Sequence, residues 1–180
     1  MSSPPFVKRG ISMKKYWIIA GMLTGVLSFS AFPVHALLDT DDLVLGGVTL
    51  GESYEEVEAQ YGPPTQRKIG GFWYGSIYYG DTVQMTIEPD RDKPDTYYIY
   101  GVTSRGNNGL ATPKGITVGS TEEEVLEAYG GPDRTFFDHG DGGQNYMYYD
   151  NENFKRGAYL LVHMHQGVVA SLTIHVNTGE

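Results

Sequence analysis

Cysteine is missing from this 180-residue chain. Its absence excludes disulfide bonds, thiolate metal ligands, thiol catalysis and acylation at a lipoprotein-type cysteine. Basic residues are scarce as well: 13 Lys and Arg stand against 22 Asp and Glu, which gives a formal net charge of −9. Nucleic-acid affinity comes mainly from cationic side chains that neutralise phosphates. The charge balance therefore argues against a nucleic-acid partner.

Sequence motifs of enzymes are also lacking. The chain has no G-x-S-x-G nucleophile elbow, no phosphate-binding loop and no dinucleotide-binding fingerprint. The Glu runs near residues 55 and 122 fit the starts of helices, where carboxylates are favourable. We therefore predict no enzymatic activity, no catalytic residues, no cofactor and no bound metal.

Long apolar runs are limited to one segment, residues 16–27. Lys14 and Lys15 precede it, and Val34-His35-Ala36 follows it. This order is typical of a secretory signal that is cleaved after Ala36, with Met13 as an alternative start. The alternative is an uncleaved membrane anchor, which would need about 20 apolar residues. We predict export to an extracellular or periplasmic location, with no lipid anchor and with membrane contact only if the segment stays uncleaved.

An internal duplication dominates the rest of the sequence. Residues 47–64 read GVTLGESYEEVEAQYGPP and residues 115–132 read GITVGSTEEEVLEAYGGP, with nine of eighteen positions identical. Average residue usage would give roughly one identity by chance. Each copy contains an S/T-x-x-E capping box, at Ser53 or Thr121, and ends in a Gly-x-Pro stop signal. Both copies therefore predict a short helix.

Segments rich in aromatic and β-branched residues follow each helix and predict strands. They are residues 72–79, 83–88, 97–103, 134–137, 145–149, 158–165 and 168–176. We predict an α+β fold class of two tandem repeats, each a short helix packed on a three- to four-stranded antiparallel sheet, with the two sheets either joined or side by side. The expected divisions are 1–36 (N-terminal extension and signal peptide), 37–44 (lead-in), 45–104 (repeat 1), 105–112 (linker) and 113–177 (repeat 2).

The histidines are the main candidates for a metal site, since three imidazoles can bind zinc. His163 and His165 share one face of a strand. The apolar alternation of residues 159–176 predicts a three-residue turn at 166–168, which sets His163 opposite Ser171 and Tyr159 opposite His175. The histidines then do not converge, and we interpret them as surface groups, with weak metal binding by His163 and His165 as the alternative. The Asp138–Asp141 loop lacks the spacing of a calcium loop, and turn chemistry accounts for it.

The repeated pattern G-[VI]-T-[LV]-G-x-[ST]-x-E-E-V-x-x-x-Y-G-x-P resembles the opening of domains of the BamE (SmpA/OmlA) group. It is equally similar to the repeats of the secreted β-lactamase inhibitor protein. The resemblance covers residues 45–104 and 113–177, and it implies a small helical element followed by antiparallel strands. The chain lacks the lipid-anchoring cysteine of the first family and the disulfide bonds of the second.

Aromatic residues suggest the function. Tyr and Trp give a large contact area with few torsions to immobilise, and they are common on protein-recognition surfaces. We predict an exported, non-enzymatic module that binds a protein partner through the aromatic, helix-free face of its sheet. The alternatives are an inhibitor of a secreted or cell-wall hydrolase and an envelope assembly factor. The candidate contacts are Trp73, Tyr74, Tyr78, Tyr97, Tyr148, Tyr159, His163 and His165.

Overall fold

The computed structural model describes residues 38–70, 74–93, 95–150 and 157–177. These residues belong to one compact unit. The predicted signal segment and the candidate contact Trp73 lie outside them. None of the helices among the described residues is long and apolar enough to cross a membrane.

Two helices of eight residues begin and end in the same way. Helix α1 covers Tyr54–Tyr61, and helix α2 covers Glu122–Tyr129. Both predicted capping boxes are confirmed: the Ser53 hydroxyl accepts from the Glu56 amide at 3.2 Å, and the Thr121 hydroxyl accepts from the Glu124 amide at 3.3 Å. A glycine with positive φ follows each helix and stops it, as the Gly-x-Pro signals predict.

Eight strands form one antiparallel sheet in the order β3-β4-β5-β6-β10-β9-β8-β7. A separate two-stranded ribbon, which follows a short 3-10 turn at Thr40–Asp42, joins β1 to β2. The strand bounds are β1 Val44–Leu45, β2 Val48–Thr49, β3 Gln66–Gly70, β4 Tyr74–Tyr79, β5 Val83–Pro89, β6 Tyr97–Ser104, β7 Arg134–Phe137, β8 Gln144–Tyr149, β9 Gly157–His165 and β10 Val168–Asn177.

The predicted fold class, two tandem repeats that each carry their own small sheet, is wrong. Strand β6 pairs with β10, with Val102 opposite Ile174 and Thr103 opposite Thr173, so the strands form a single continuous sheet. Pairing these two strands removes two edges whose backbone groups would otherwise need other partners. Alternation of apolar residues reports which face of a strand is buried, but it does not report which strands are neighbours. The sequence prediction also missed β3, whose five residues are all exposed.

Both helices cover the same face of the sheet. Tyr54 and Val57 of α1 and Val125 and Tyr129 of α2 belong to one hydrophobic core with the inward residues of the strands. Burial alternates along β9 from Gly157 to His165, as expected for a strand with one covered face. We call the face that packs under the helices the helix-covered face and the opposite one the open face.

The hairpin between β9 and β10 has the predicted register but not the predicted turn. Gln166 and Gly167 both have positive φ and form a two-residue turn, with His165 opposite Val168. A bulge between Val169 and Ser171 then adds one residue to β10. Because of this extra residue, the apolar residues of β9 and β10 lie opposite one another on the same face, as the apolar pattern predicts. His163 therefore does lie opposite Ser171, and Tyr159 lies opposite His175.

Candidate functional site

The strands carry almost none of the negative charge of the chain. Glu88 is the single acidic residue within the eight described strands of the sheet, although the chain has 22 Asp and Glu. The first turns of α1 and α2 together carry five glutamates. The open face is therefore poor in carboxylates within a strongly acidic protein.

Four ring side chains cross the middle of the open face, one from each of β6, β10, β9 and β8. The ring centroids lie 5.5 Å apart for Tyr100 and His175, 5.9 Å for His175 and Tyr159, and 6.3 Å for Tyr159 and Tyr149. These separations are typical of favourable aromatic pairs. We call these four residues the aromatic row.

The backbone under the aromatic row is adapted to it. A Cβ atom on Gly101 would lie 2.2 Å from Cδ2 of His175, so only glycine lets the imidazole lie this close to β6. Burial is the main cause that raises the pKa of Tyr159 above its ordinary value, and nearby Tyr149 adds to it. Burial likewise raises the pKa of Tyr100, with Glu88 as the second cause. Tyr100 and Tyr159 are thus packed against the sheet, and their hydroxyls stay protonated at neutral pH.

Five of the candidate contacts lie on the open face. Tyr74, on β4, has 67% of its surface exposed, and Tyr78 lies two residues further on with the Lys68 ammonium 5.2 Å from its ring centroid. Tyr159, His163 and His165 alternate along β9 with its buried residues.

Tyr148 and Tyr97 were assigned to the wrong face. Tyr148 is 2% exposed and its hydroxyl donates to the Gly130 carbonyl at 3.1 Å, just after α2. Tyr97 packs against the hydrophobic core. Both residues therefore belong to the helix-covered face.

A comparison of the two halves of the sheet explains the error at Tyr148. The Tyr79 hydroxyl donates to the Gly62 carbonyl at 3.0 Å, which is the same contact that Tyr148 makes to Gly130. In the sequence, YMYY at 146–149 matches SIYY at 76–79 at an offset of 70, and this match pairs Tyr148 with Tyr78 instead of Tyr79. A slip of one residue moves a side chain to the other face of a strand.

A second group of polar side chains lies where β8, β9 and the loop before β8 meet. Nε2 of His163 is 2.7 Å from Oδ2 of Asp141, and Nδ1 of His165 is 3.7 Å from the same oxygen. Ligand atoms of Asp138, Asp141 and His163 all lie within 4.8 Å of one another. We call Asp138, Asp141, His163 and His165 the His–Asp cluster.

The loop is held against His163 by its own hydrogen bonds. Oδ1 of Asp141 accepts from the Gly143 amide at 2.8 Å, and Oδ1 of Asp138 accepts from the Gly140 amide at 2.8 Å. A Cβ atom on Gly143 would lie 2.5 Å from Cε1 of His163, so glycine permits the close approach. The hydrogen bond with His163, followed by that from the Gly143 amide, lowers the pKa of Asp141 below its ordinary value.

Sequence reasoning treated the histidine pair and the aspartate loop as separate features. They meet because β8 pairs with β9, with Asn145 opposite His163, and the loop directly precedes β8. The aromatic row was also missed in part, since Tyr100, Tyr149 and His175 were not among the candidates. The predicted pairing of Tyr159 with His175 was the available signal for that row.

No protein-family model matches this chain, and neither does any curated protein. Three solved structures are similar at low identity. A DUF4309 family protein from Bacillus subtilis is 13% identical with a TM-score of 0.43, over 72% of this chain and 82% of that one. An extracellular protein containing an SCP domain from Bacillus anthracis is 9% identical with a TM-score of 0.45, over 70% and 43% of the two chains. A cysteine-rich secretory protein from Staphylococcus aureus is 15% identical with a TM-score of 0.39, over 70% and 44%.

Each TM-score lies below 0.5, so none of these likenesses establishes a shared fold. The matched part covers less than half of the second and third proteins. The resemblance to the BamE group and to the β-lactamase inhibitor protein stays a prediction, because no comparison tests it.

Proposed function

We propose that the chain is an exported, non-enzymatic module that binds a protein partner through the open face of its sheet. The observation that carries this proposal is the aromatic row, of which Tyr100, His175 and Tyr159 are partly exposed and Tyr149 is buried, together with the exposed Tyr74 toward one edge of the same face. Cores of protein interfaces are enriched in aromatic residues and depleted of charged ones. The open face has this composition.

The export part of the proposal rests on the N-terminal sequence. Residues 14–36 have the charged, apolar and small-residue order of a secretory signal. An exported protein without disulfide bonds depends on its hydrophobic core, and the sheet and helices provide one continuous core.

The distribution of charge indicates the chemistry of the partner. Apart from Lys68 at Tyr78, Glu88 near Tyr100 and Asp141 at His163, the rings and hydroxyls of the open face have few charges nearby. A carboxylate or ammonium group brought against the remaining surface would lose its water without gaining an opposite charge. We therefore expect a partner surface that is itself poor in charge. Binding through the acidic helices would instead select a basic partner and would weaken as salt screens the charges.

The experiment compares capture of partners by three forms of the full chain. The wild type, the double variant Tyr74→Ala/Tyr159→Ala and the control Phe137→Ala are immobilised and incubated with extracellular and envelope fractions of the host. Phe137 is 57% exposed, and its cross-strand neighbour Gln144 pairs with the buried Met164, so this control removes an exposed aromatic residue of the helix-covered side. Circular dichroism confirms that each variant is folded.

We expect the wild type and Phe137→Ala to retain the same partner in about 0.5 M salt, which screens surface charges. The double variant should bind it about tenfold more weakly or worse, because interface aromatics contribute strongly to affinity. A partner that the double variant retains as well as the wild type does, or that salt releases, would contradict the proposal. If the partner is a hydrolase, a titration that abolishes its activity at one equivalent identifies the inhibitor alternative.

A further inference from the structure

We infer that the His–Asp cluster binds one divalent transition-metal ion of the zinc class. Asp138 and Asp141 come from the loop before β8, and His163 and His165 come from β9. The inference does not depend on the proposed protein partner, because it concerns the end of the sheet where this loop lies beside β9.

The spacing of the ligand atoms suits a single ion. Ligands bound tetrahedrally at about 2.0–2.1 Å lie about 3.3 Å from one another. The ligand atoms of Asp138, Asp141 and His163 lie within 4.8 Å of each other, and the two imidazole nitrogens lie 2.7 and 3.7 Å from Oδ2 of Asp141.

The neighbour of His163 is suited to the tautomer that a metal-bound histidine needs. Nδ1 of His163 lies 3.0 Å from Oδ1 of Asn145, whose side chain is 6% exposed. When Nδ1 donates to that amide oxygen and a metal ion takes the place of the proton between Nε2 and Asp141, the lone pair of Nε2 is available as a ligand. A metal-bound histidine characteristically donates its other ring N–H to such an acceptor.

His165 supplies a second, independent observation. Within the described residues its Nδ1 is shielded from water and has no hydrogen-bond partner, although it is oriented toward Asp141. A polar atom that is shielded without a partner is costly. Coordination to an ion beside Asp141 would satisfy this nitrogen and join both histidines in one site.

The donor set selects the metal. Two imidazole nitrogens and two carboxylate oxygens suit zinc and its transition-metal neighbours, whereas calcium takes oxygen ligands and six or more of them. The surrounding side chains do not close the site, because Asp141 and His165 are 46% and 37% exposed. An ion could therefore enter without opening the fold, and the site would keep a position for water or for a side chain of a partner.

The test measures zinc binding to the full chain, purified with an affinity tag that contains no histidine and freed of metal with EDTA. Isothermal titration with zinc chloride should give one site per chain, and zinc should raise the Tm. Titration with calcium chloride should give no comparable heat. His163→Ala, His165→Ala and Asp141→Asn should each weaken zinc binding about tenfold or more, as even the loss of a residue that orients a ligand costs 10- to 100-fold.

Two further variants keep the test decisive. His139→Ala removes an exposed histidine of the same loop that packs on Phe137, and it should bind zinc as the wild type does. Asn145→Asp keeps an acceptor for Nδ1 of His163 and should retain binding, whereas Asn145→Ala should weaken it. The inference is overturned if the wild type gives no heat with zinc, if it binds calcium and not zinc, or if His165→Ala or Asp141→Asn binds zinc unchanged. It is equally overturned if His139→Ala abolishes binding, because zinc would then sit at a different place on the loop.

Discussion

The two faces of the sheet use the same residue type in different ways. On the helix-covered face, Tyr79 and Tyr148 donate to the carbonyls of Gly62 and Gly130, which follow the two helices. On the open face, Tyr100 and Tyr159 pack their rings on either side of His175. Tyr79 and Tyr148 thus hydrogen-bond the ends of the helices to the sheet, whereas no helix covers the rings of Tyr100 and Tyr159.

This contrast shows that a large number of tyrosines in a sequence does not by itself indicate a binding surface. A tyrosine whose hydroxyl donates to the carbonyl at the end of a helix packs with the core, and its substitution should lower the stability of the fold. Substitution of Tyr100 or Tyr159, which are only partly buried on the open face, should change stability less and partner binding more. Two neighbouring residues on one strand provide the sharpest test of this difference, because they lie in the same strand and differ in the face to which their side chains point.

The largest expected difference is between Leu160→Ala and Leu161→Ala on β9. Leu160 is fully buried on the helix-covered face, whereas Leu161 is half-buried on the open face. We expect Leu160→Ala to lower the free energy of unfolding by about 2–5 kcal/mol, the usual cost of a cavity in a core. Leu161→Ala should cost about 1 kcal/mol or less. Urea unfolding of both variants measures the difference, and equal losses would show that the open face is covered as well.

The sequence predicted the parts of the fold that depend on local chemistry. Both capping boxes, the glycine stops and seven of the strands follow from turn residues, hydroxyls and alternation. Strand β3 escaped because its residues are all exposed, so no apolar pattern marks it. The pairing of β6 with β10 could not be predicted, because it joins residues that are about 70 positions apart in the sequence. Alternation of apolar residues carries no information about such long-range pairing.

The candidate sites show the same limit. The alternation of apolar residues correctly predicted that Tyr159 lies opposite His175, although a bulge and not a longer turn produces this register. The His–Asp cluster could not be assembled from the sequence, because Asp141 and His163 are 22 residues apart and meet only through the pairing of β8 with β9. Tyr148 was misplaced by one residue of alignment, which is enough to exchange the faces.

The second expected effect is a loss of stability at alkaline pH that arises on the helix-covered face. Burial raises the pKa of Tyr129 to about 12 in the folded protein, with the Asp42 carboxylate as a further raising cause. Its pKa in the unfolded chain is about 10. Between these values the folded state holds more protons, so stability is full below about pH 10 and falls as pH rises toward 12.

Tyr129→Phe measures the contribution of this side chain. The loss is at most about 1.4 kcal/mol per pKa unit, before solvent screening reduces it. We expect urea midpoints of the wild type to fall between pH 9 and 11.5 and those of Tyr129→Phe to fall less. Parallel curves for the two proteins would show that other groups cause the alkaline loss.

The smallest expected effect compares one hydroxyl on each face. Tyr148→Phe removes the donor to the Gly130 carbonyl at the end of α2, which should lower the free energy of unfolding by about 1 kcal/mol. Tyr159→Phe keeps the ring that packs on His175 and should change stability by about 0.5 kcal/mol or less. Urea unfolding at neutral pH distinguishes the two, and amide hydrogen exchange should show faster opening of α2 in Tyr148→Phe alone. If both variants lose the same free energy of unfolding, the tyrosines of the open face also stabilise the fold. That result would contradict the proposed difference in role between the two faces.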